Sequence, residues 1–190
     1  MRVIAGSVGG RKLIAPDNKD TRPTGDRVRE ATCNALVSLG AIEDARVLDL
    51  FAGTGALGIE ALSRGAVSAT FVDNNLDAFR SMRTNLEACR FTDMAKVVNK
   101  EVMVWLRAQK AASSEPLFTL AFCDPPYVFD AWDEVLTALA KMSIGTVVAE
   151  RNAPLVLSEE LAAIWNVVRE RKYGTTVVSI LELQESYTKS

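Results

Sequence analysis

From residue 46 onward, short apolar runs alternate with longer segments that carry apolar side chains at helical spacing. Turn residues bound the apolar runs, which is typical of buried strands. The predicted strands are residues 47–51, 68–72, 95–98, 117–123, 146–150, 166–171 and 176–183, and the predicted helices are residues 56–64, 76–89, 102–110, 131–141 and 157–162. Repeated strand–helix units predict an α/β fold with a parallel sheet, helices on both faces, and ligands outside the carboxyl ends of the strands. The last two strands flank a short turn and predict a hairpin, which adds one antiparallel strand.

The N-terminal region has a different pattern. Residues 2–5 and 11–15 are short strand candidates, and the glycine-rich residues 6–10 between them predict a β-hairpin. We therefore expect two units. The first, residues 1–25, is this hairpin with a polar loop, and the second, residues 26–190, is the α/β domain.

The polar loop leads into a predicted helix that extends to about residue 39. Thr24 or Asp26 can cap its start, and Gly40 is suited to its end. At the other terminus, the polar tail from Glu185 onward predicts a frayed segment.

Composition restricts the chemistry open to this chain. It contains no histidine, which removes the commonest general base and the commonest metal ligand. Cys33, Cys89 and Cys123 lie far apart without a paired spacing, which predicts a reducing compartment and no metal site. The chain has no apolar run of the roughly 18 residues that a membrane span requires, and its N-terminus lacks the apolar core of a signal peptide. These features predict a cytoplasmic protein without membrane contact.

Charge is distributed unevenly along the chain. The net charge is −2, yet residues 1–30 carry seven basic and four acidic groups, an excess of +3. The remaining residues therefore carry −5. A basic N-terminal segment on an acidic body suggests a local contact with a polyanion, although ordinary surface scatter gives a similar excess.

A glycine loop follows the first strand of the α/β region. Gly53, Gly55 and Gly58 fit the G-x-G-x-x-G pattern before a helix, and Asp73 follows Gly53 by 20 residues at the end of the second strand. Taken literally, this is a dinucleotide fingerprint, with the acid on the ribose hydroxyls. The same features suit S-adenosylmethionine, and Asp49 favours it. A carboxylate inside an apolar strand needs a cation, and that cofactor offers an ammonium. The other reading of Asp49 is a carboxylate that caps a helix or tethers the loop.

The segment Asp124-Pro125-Pro126-Tyr127 follows the fourth predicted strand of the α/β region. The prolines have no N–H for the sheet, so the chain leaves the strand in an extended form. It presents a carboxylate, carbonyls without ladder partners and one aromatic ring. This set suits a planar group with an amino function, whose N–H groups the oxygens accept while the ring stacks on its face. The alternative is that Asp124 caps the next helix and Tyr127 only packs.

These motifs resemble known proteins. The stretch from Asp49 to Gly58, with residues 124–127, looks like the amino-methyltransferases that use S-adenosylmethionine. Residues 22–30 and 9–13 resemble more narrowly the RsmD family, which methylates the exocyclic N2 of a guanine in 16S rRNA. The resemblance covers about residues 2–183. One departure is that the family often has Glu where this chain has Asp73, which lengthens the ribose contacts or shifts them to Asn74.

The resemblance implies a fold, a reaction and a site. The fold is a Rossmann-like seven-stranded methyltransferase sheet, parallel with one antiparallel strand, and the reaction is methyl transfer to guanine N2 in 16S rRNA within the small ribosomal subunit. The implied catalytic residues are Asp124, Pro125, Pro126 and Tyr127. The implied cofactor contacts are Asp49, Phe51, Ala52, Gly53, Thr54, Gly55, Gly58, Asp73, Asn74, Asn99, Glu101 and Asp124. The implied RNA contacts are Arg2, Arg11, Lys12, Arg22, Arg27 and Arg29.

Several alternatives stay open at this level. A DNA adenine-N6 methyltransferase uses the same 124–127 chemistry but usually carries a larger recognition domain. Methylation of a glutamine in release factors is a less favoured alternative, because that chemistry is associated with an Asn-Pro-Pro-Tyr segment and this chain has Asp124 at the first position. An NAD-dependent oxidoreductase fits the glycine loop alone, and a module that binds the cofactor without turnover fits the site. The N-terminal arginines can also be surface groups paired with Asp26 and Glu30.

Overall fold

The computed structural model describes residues 1–15, 25–111 and 116–188. Its strands are β1 Arg46–Leu50, β2 Ser68–Asp73, β3 Ala95–Asn99, β4 Leu120–Cys123, β5 Thr146–Arg151, β6 Trp165–Tyr173 and β7 Thr176–Leu183. Its α-helices are α1 Asp26–Ser38, α2 Ala56–Ser63, α3 Leu76–Cys89, α4 Val102–Arg107, α5 Trp132–Lys141, α6 Glu159–Ala162 and α7 Glu185–Thr188, with a 3-10 turn at Thr92–Met94.

The strands form one sheet in the order β3-β2-β1-β4-β5-β7-β6. Strands β1 to β5 are parallel, and β7 runs antiparallel to both β5 and β6. The predicted fold class, a parallel sheet with one antiparallel strand, is confirmed. The carboxyl ends of β1, β2 and β4 lie side by side at one edge of the sheet, which we call the carboxyl edge.

Alternating side chains divide the core between the two faces of the sheet. On the first face, Phe71 and Phe122 pack with apolar residues of α1, α2 and α3. On the second face, Leu48 and Val72 pack with residues of α4, α5 and α6. Because the central strands β1, β4 and β5 bury both of their faces, their sequences read as nearly continuous apolar runs. None of the described helices has the length and apolar character needed to span a membrane.

The predicted N-terminal hairpin is present as a short antiparallel pairing, with a bridge between Arg2 and Lys12. Its backbone is held by α2, because the buried Glu60 carboxylate accepts hydrogen bonds from the Ile4 and Ala5 N–H groups at 2.7 and 3.1 Å. The hairpin also contributes buried Val3 and Leu13 to the first-face core. It is therefore packed against the α/β region, and the division at residue 25 stays a prediction.

The ends of several elements differ from the sequence predictions. Helix α1 has Gly25 as its N-cap without a side-chain hydrogen bond, so Asp26 does not cap it; Thr24 and most of the predicted loop lie outside the described residues. Strand β4 begins at Leu120, and Leu117 is exposed. Of the tail predicted to be frayed, residues Glu185–Thr188 form a short helix in which Tyr187 packs against the second-face core, and the last two residues lie outside the described ones.

Candidate active site

Three carboxylates meet at the carboxyl edge. Asp49 lies within β1, Asp73 ends β2, and Asp124 directly follows β4. Strand β1 lies between the other two, so the three residues occupy neighbouring strands. They are close enough for the charges of Asp124 and Asp73 to raise the pKa of Asp49. The sequence predicted each of these acids separately, and the sheet order brings them together.

The glycine loop, residues 52–55, turns sharply away from β1. Gly53 and Gly55 have φ angles of 53° and 76°, in the left-handed region that glycine adopts without strain. A Cβ at Gly53 would meet only the Phe51 carbonyl, at 4.0 Å, so the space beside this residue is open. The loop is tied to β2 by the Asp73 carboxylate, which accepts from the Gly53 N–H at 2.8 Å, and by a 3.2 Å bond from Ala52 N to the Val72 carbonyl.

Asp49 is almost completely buried, with 2% of its surface exposed. Burial raises the pKa of its carboxyl well above the ordinary value, a hydrogen bond from the Gly58 N–H at 2.9 Å opposes this shift, and the charges of Asp124 and Asp73 add to it. The structure thus shows the tethering role that the sequence left open. The predicted contact with a cationic ligand stays a prediction, and an ionised Asp49 would be stabilised by such a cation.

Gly58, which the sequence predicted to contact the cofactor, has a structural role in helix packing. A Cβ on this residue would lie 2.3 Å from Cε1 of Phe71 and 3.0 Å from the Asp49 carboxylate. Helix α2 can approach β1 and β2 this closely only because Gly58 has no side chain. Sequence spacing alone cannot separate this packing requirement from ligand contact.

The other predicted cofactor residues surround the end of β2. Asp73 uses its second oxygen to accept from the Asn75 N–H at 2.8 Å, and Asn74 is exposed beside it. Asn99 pairs with Asp73 across the β2–β3 ladder and is exposed. Glu101 caps α4, because its two oxygens accept from Met103 N and Val104 N at 2.9 and 2.7 Å. That structural role accounts for Glu101 without a ligand.

Thr54 completes the loop. It is half-buried, and its carbonyl accepts a hydrogen bond from the Asn85 side chain at 3.0 Å. The same Asn85 amide binds the Ile14 backbone of the hairpin at 2.8 and 2.9 Å. Asn85 therefore joins the glycine loop, α3 and the hairpin, a link between residues 71 positions apart in the sequence that periodicity did not reveal.

The 124–127 segment leaves the sheet as predicted. Pro125 is buried, Pro126 is exposed, and 42% of the Tyr127 side chain is exposed. In the part of the chain that the structure describes, no hydrogen bond uses the carbonyl of Pro125. Helix α5 begins at Trp132, several residues later, so the alternative reading of Asp124 as its cap is wrong.

Tyr127 is positioned by the last hairpin of the sheet. Its hydroxyl lies 3.3 Å from the hydroxyl of Thr176, the first residue of β7. Behind it, Phe129 stacks edge-on against Phe51 and Trp132, with ring centroids 5.1 and 5.7 Å apart. Sequence reasoning missed Thr176, Phe129 and Trp132. The run of aromatic residues after Tyr127 was the available signal.

The predicted RNA contacts differ in exposure. Arg2, Arg11, Lys12 and Arg27 are exposed, whereas Arg22 lies outside the described residues. The prediction for Arg29 is wrong, because its side chain is completely buried. Its guanidinium donates to the Arg2 carbonyl, pairs with Asp26 at 3.0 Å and lies 4.0 Å from Glu60. An arginine that holds the hairpin in this way cannot reach a phosphate.

Comparisons with known proteins show which family the chain is similar to. A family model described as conserved hypothetical protein 95 matches residues 1–182. Ribosomal RNA small subunit methyltransferase D of Haemophilus influenzae is 32% identical over 181 residues, 92% of this chain and 89% of that protein. Its namesake from Escherichia coli K12 is 40% identical over 139 residues, 73% of this chain and 66% of that protein. The solved structure of yhhF from Escherichia coli covers 97% of this chain and 98% of its own, with a TM-score of 0.82 and 34% identity.

These similarities decide against the NAD-dependent oxidoreductase, which fits the glycine loop but not the rest of the chain. They extend over the hairpin, the sheet and the 124–127 segment together. The chain belongs to the conserved hypothetical protein 95 family, that of the RsmD methyltransferases, and it is a methyltransferase of Rossmann-like fold.

Proposed function

We propose that this protein transfers a methyl group from S-adenosylmethionine to the exocyclic N2 of a guanine in 16S rRNA of the small ribosomal subunit. The observation that carries the proposal is the meeting of Asp49, Asp73 and Asp124 on neighbouring strands, beside the half-exposed ring of Tyr127. The printed names of the relatives, ribosomal RNA small subunit methyltransferases, support the choice of RNA.

The acids fit the proposed cofactor by charge. The pKa of Asp49 is set by burial, by the hydrogen bond from one N–H group and by two further carboxylates, and none of these supplies a full positive charge. Within the described ranges, neither Asp49 nor Asp73 takes part in an ion pair. S-adenosylmethionine supplies a methyl group on a cationic sulfur and also carries an ammonium. Asp49 would face the ammonium, while Asp73, whose oxygens can each accept a further bond, would hold the ribose hydroxyls beside the open side of Gly53.

The 124–127 segment would orient the target amine. The Asp124 carboxylate and the Pro125 carbonyl would accept its two N–H bonds, and Tyr127 would stack on the base. Orientation of this kind lowers a barrier by up to roughly 7–11 kcal/mol in ideal cases. The Asp124 charge would also stabilise the positive charge that develops on the nitrogen. After transfer that nitrogen is acidic, so proton loss requires no histidine, and the chain has none.

The base must leave its stack to reach this segment, which favours a loop in RNA over a continuous duplex. The exposed Arg2, Arg11, Lys12 and Arg27, with Arg22, are the proposed phosphate contacts. We further propose that the RNA is recognised within a partly or fully assembled small subunit.

The test is methyl transfer with a labelled donor. Purified protein is incubated with unmethylated small subunits, with naked 16S rRNA and with DNA, and the label is mapped to a nucleotide. We expect label on the N2 of one guanine in 16S rRNA and none on DNA. Label on adenine N6 in DNA would instead identify the other methyltransferase that the sequence left open.

Calorimetry with S-adenosylmethionine and with NAD tests the cofactor separately. We expect binding of the first and not the second. In the Asp73→Ala variant, cofactor affinity should fall by roughly 1–3 kcal/mol, the cost of leaving a buried polar group without its partner. Unchanged affinity in that variant would contradict the placement of the ribose at Asp73.

A further inference from the structure

We propose that the outer strand of the sheet, β6, is a second RNA-contact surface that binds the phosphates flanking the target nucleotide. Its basic residues are Arg169, Arg171 and Lys172, which we call the β6 basic strip. The inference rests on the proposed function, because it names the part of the protein that holds the substrate of that reaction.

The strip is exposed and not neutralised. Arg169, Arg171 and Lys172 are all exposed, and none of them forms an ion pair in the described part of the chain. The acid between them, Glu170, is half-buried and turned inward. One of its oxygens accepts from the Leu155 N–H at 3.2 Å and from the Ser179 hydroxyl at 2.8 Å. The exposed charged side chains of β6 are therefore all positive.

The register of the sheet places the strip level with the catalytic segment. The row of paired residues that begins at Cys123 crosses β5 and β7 and ends at Glu170. Asp124, which directly follows β4, and Arg171 of β6 each lie one residue further toward the carboxyl edge. Three strand spacings separate them, which is roughly 14 Å between backbones. A short single-stranded RNA segment can span that distance.

Charge changes sign across the carboxyl edge. Its β2–β1–β4 half carries Asp73, Asp49 and Asp124. Its β5–β7–β6 half carries Arg151 and the β6 basic strip, which outnumber the buried Glu150 and the half-buried Glu170. The acidic half suits a cationic cofactor, and the basic half suits a polyanion. Tyr127 lies at the boundary, where its hydroxyl meets Thr176 of the β6–β7 hairpin. A base on Tyr127 would thus have its flanking phosphates on the basic side.

Two residues of the strip share a face of the sheet with another proposed RNA contact. Arg169 and Arg171 pair with Ile180 and Val178, whose side chains lie in the first-face core, so these two arginines lie on the first face. Helix α1 packs on the same face, and Arg27 is exposed in its first turn.

Protection of the outermost strand β6 is the competing explanation, because charged residues on such a strand prevent it from pairing with a strand of another chain. The two explanations differ in their response to charge reversal. Acidic residues protect an edge as well as basic ones do, but they repel phosphate. The variant R169E/R171E therefore keeps edge protection and removes the proposed contacts.

The experiment measures binding to 16S rRNA over a range of salt concentrations, together with methyl transfer to unmethylated small subunits. The matched control is R83E/K96E. It changes the charge equally at two exposed residues, on α3 and on the opposite edge strand β3, that form no ion pair among the described residues. For R169E/R171E we expect the slope of log affinity against log salt to fall by about 1.4–1.8 and the KM for subunits to rise at least 10-fold, since each phosphate contact contributes about 0.7–0.9 to the slope. Cofactor affinity should be unchanged, and the control should match the wild type in all three measurements.

A slope and KM equal to those of the control would overturn the inference. If the reversal lowers the melting temperature, R169Q/R171Q replaces it and should still show the same decrease in slope. A wild-type protein that methylates no rRNA would instead refute the proposed function, so the two failures are distinguishable. Self-association of R169Q/R171Q but not of R169E/R171E, with an unchanged salt slope in both variants, would identify edge protection as the sole role.

Discussion

At the scale of single residues, the site depends on Asp49, whose surroundings oppose the ionisation of its carboxyl group. Burial raises the pKa of Asp49, and two neighbouring acids act in the same direction. Ordinary aspartate titrates near pH 4, with a pKa of about 3.9. Above that pH and below the raised pKa, the folded protein binds a proton that the unfolded chain has released. Stability therefore falls as the pH rises through this window, and a bound cation should restore it.

Asp49→Asn tests this account. The amide oxygen can still accept from the Gly58 N–H, but the charge is removed. We expect the melting temperature to change less between pH 5 and pH 8 than in the wild type, with a higher value at pH 8. Cofactor affinity should fall by roughly 1.5–3 kcal/mol, the range for hydrogen bonds to a charged group. Asp93→Asn, at an exposed acid, is the control and should leave both measurements unchanged.

Asp124 should act on turnover rather than on cofactor binding. Asp124→Ala removes the carboxylate that orients the target amine, so we expect single-turnover methyl transfer to fall roughly 10²–10³-fold, the range for removing one group that stabilises a transition state. Asp124→Asn keeps one acceptor oxygen and should be less impaired. Calorimetry should show near-wild-type cofactor affinity in both variants. A wild-type rate per folded molecule, with only a lowered melting temperature, would refute the catalytic role.

At the scale of secondary structure, α2 connects the site to the rest of the molecule. Its start donates the Gly58 N–H to Asp49, and its middle presents Glu60 to the hairpin backbone. Its end holds the hairpin through Ser63, whose carbonyl accepts from the Ser7 N–H at 2.7 Å. The helix can do all three only while it lies close against the sheet, and Gly58 makes that close approach possible.

Gly58→Ala should therefore disturb both stability and the site. The new Cβ would lie 2.3 Å from the Phe71 ring, so we expect a loss of roughly 1–3 kcal/mol of stability and weaker cofactor binding. Shortening the opposing side chain should relieve the contact, so G58A/F71L should be more stable than the sum of the two single changes predicts. Gly145→Ala, whose Cβ would meet only the Thr119 carbonyl at 3.7 Å, is the control. Denaturant unfolding measures all four variants, and additive effects would contradict the packing explanation.

At the scale of the whole molecule, the hairpin extends along α2 from the carboxyl edge toward the end of that helix at Ser63. Ile14 is joined to the glycine loop through Asn85, whereas Ser7 rests on the far end of α2. Arg11 lies close enough to Cys89, the last residue of α3, to affect its pKa. The hairpin's basic groups therefore lie partly away from the methyl-transfer site, where they could contact RNA remote from the target nucleotide.

Reversing Arg11 and Lys12 to Glu measures that remote contact. The hairpin is held by backbone hydrogen bonds, so we expect the variant to fold and to bind the cofactor normally. RNA affinity should fall, and the salt slope should decrease by about 0.7–0.9 for each phosphate that the variant no longer binds. An unchanged slope would show that the RNA does not extend to this part of the hairpin.

The amino-acid sequence by itself determined the succession of strands and helices along the chain, the glycine loop, and the position of Asp124 after a buried strand. These features follow from the period of apolar residues and from glycine and proline, whose conformational preferences act locally. The acids Asp49 and Asp73 were also recognisable, because a carboxylate within or at the end of an apolar strand is unusual.

Only the tertiary structure decided which partner each polar side chain has. Arg29 is buried on Glu60 rather than exposed to phosphate, Glu101 caps α4, and Gly58 accommodates Phe71. Apart from the Glu101 cap, these contacts join residues distant in the sequence, and even that cap depends on the conformation that a side chain takes in the folded protein. A local pattern records that a residue is polar or small. Whether it contacts a ligand or another part of the chain depends on which elements the fold places beside it.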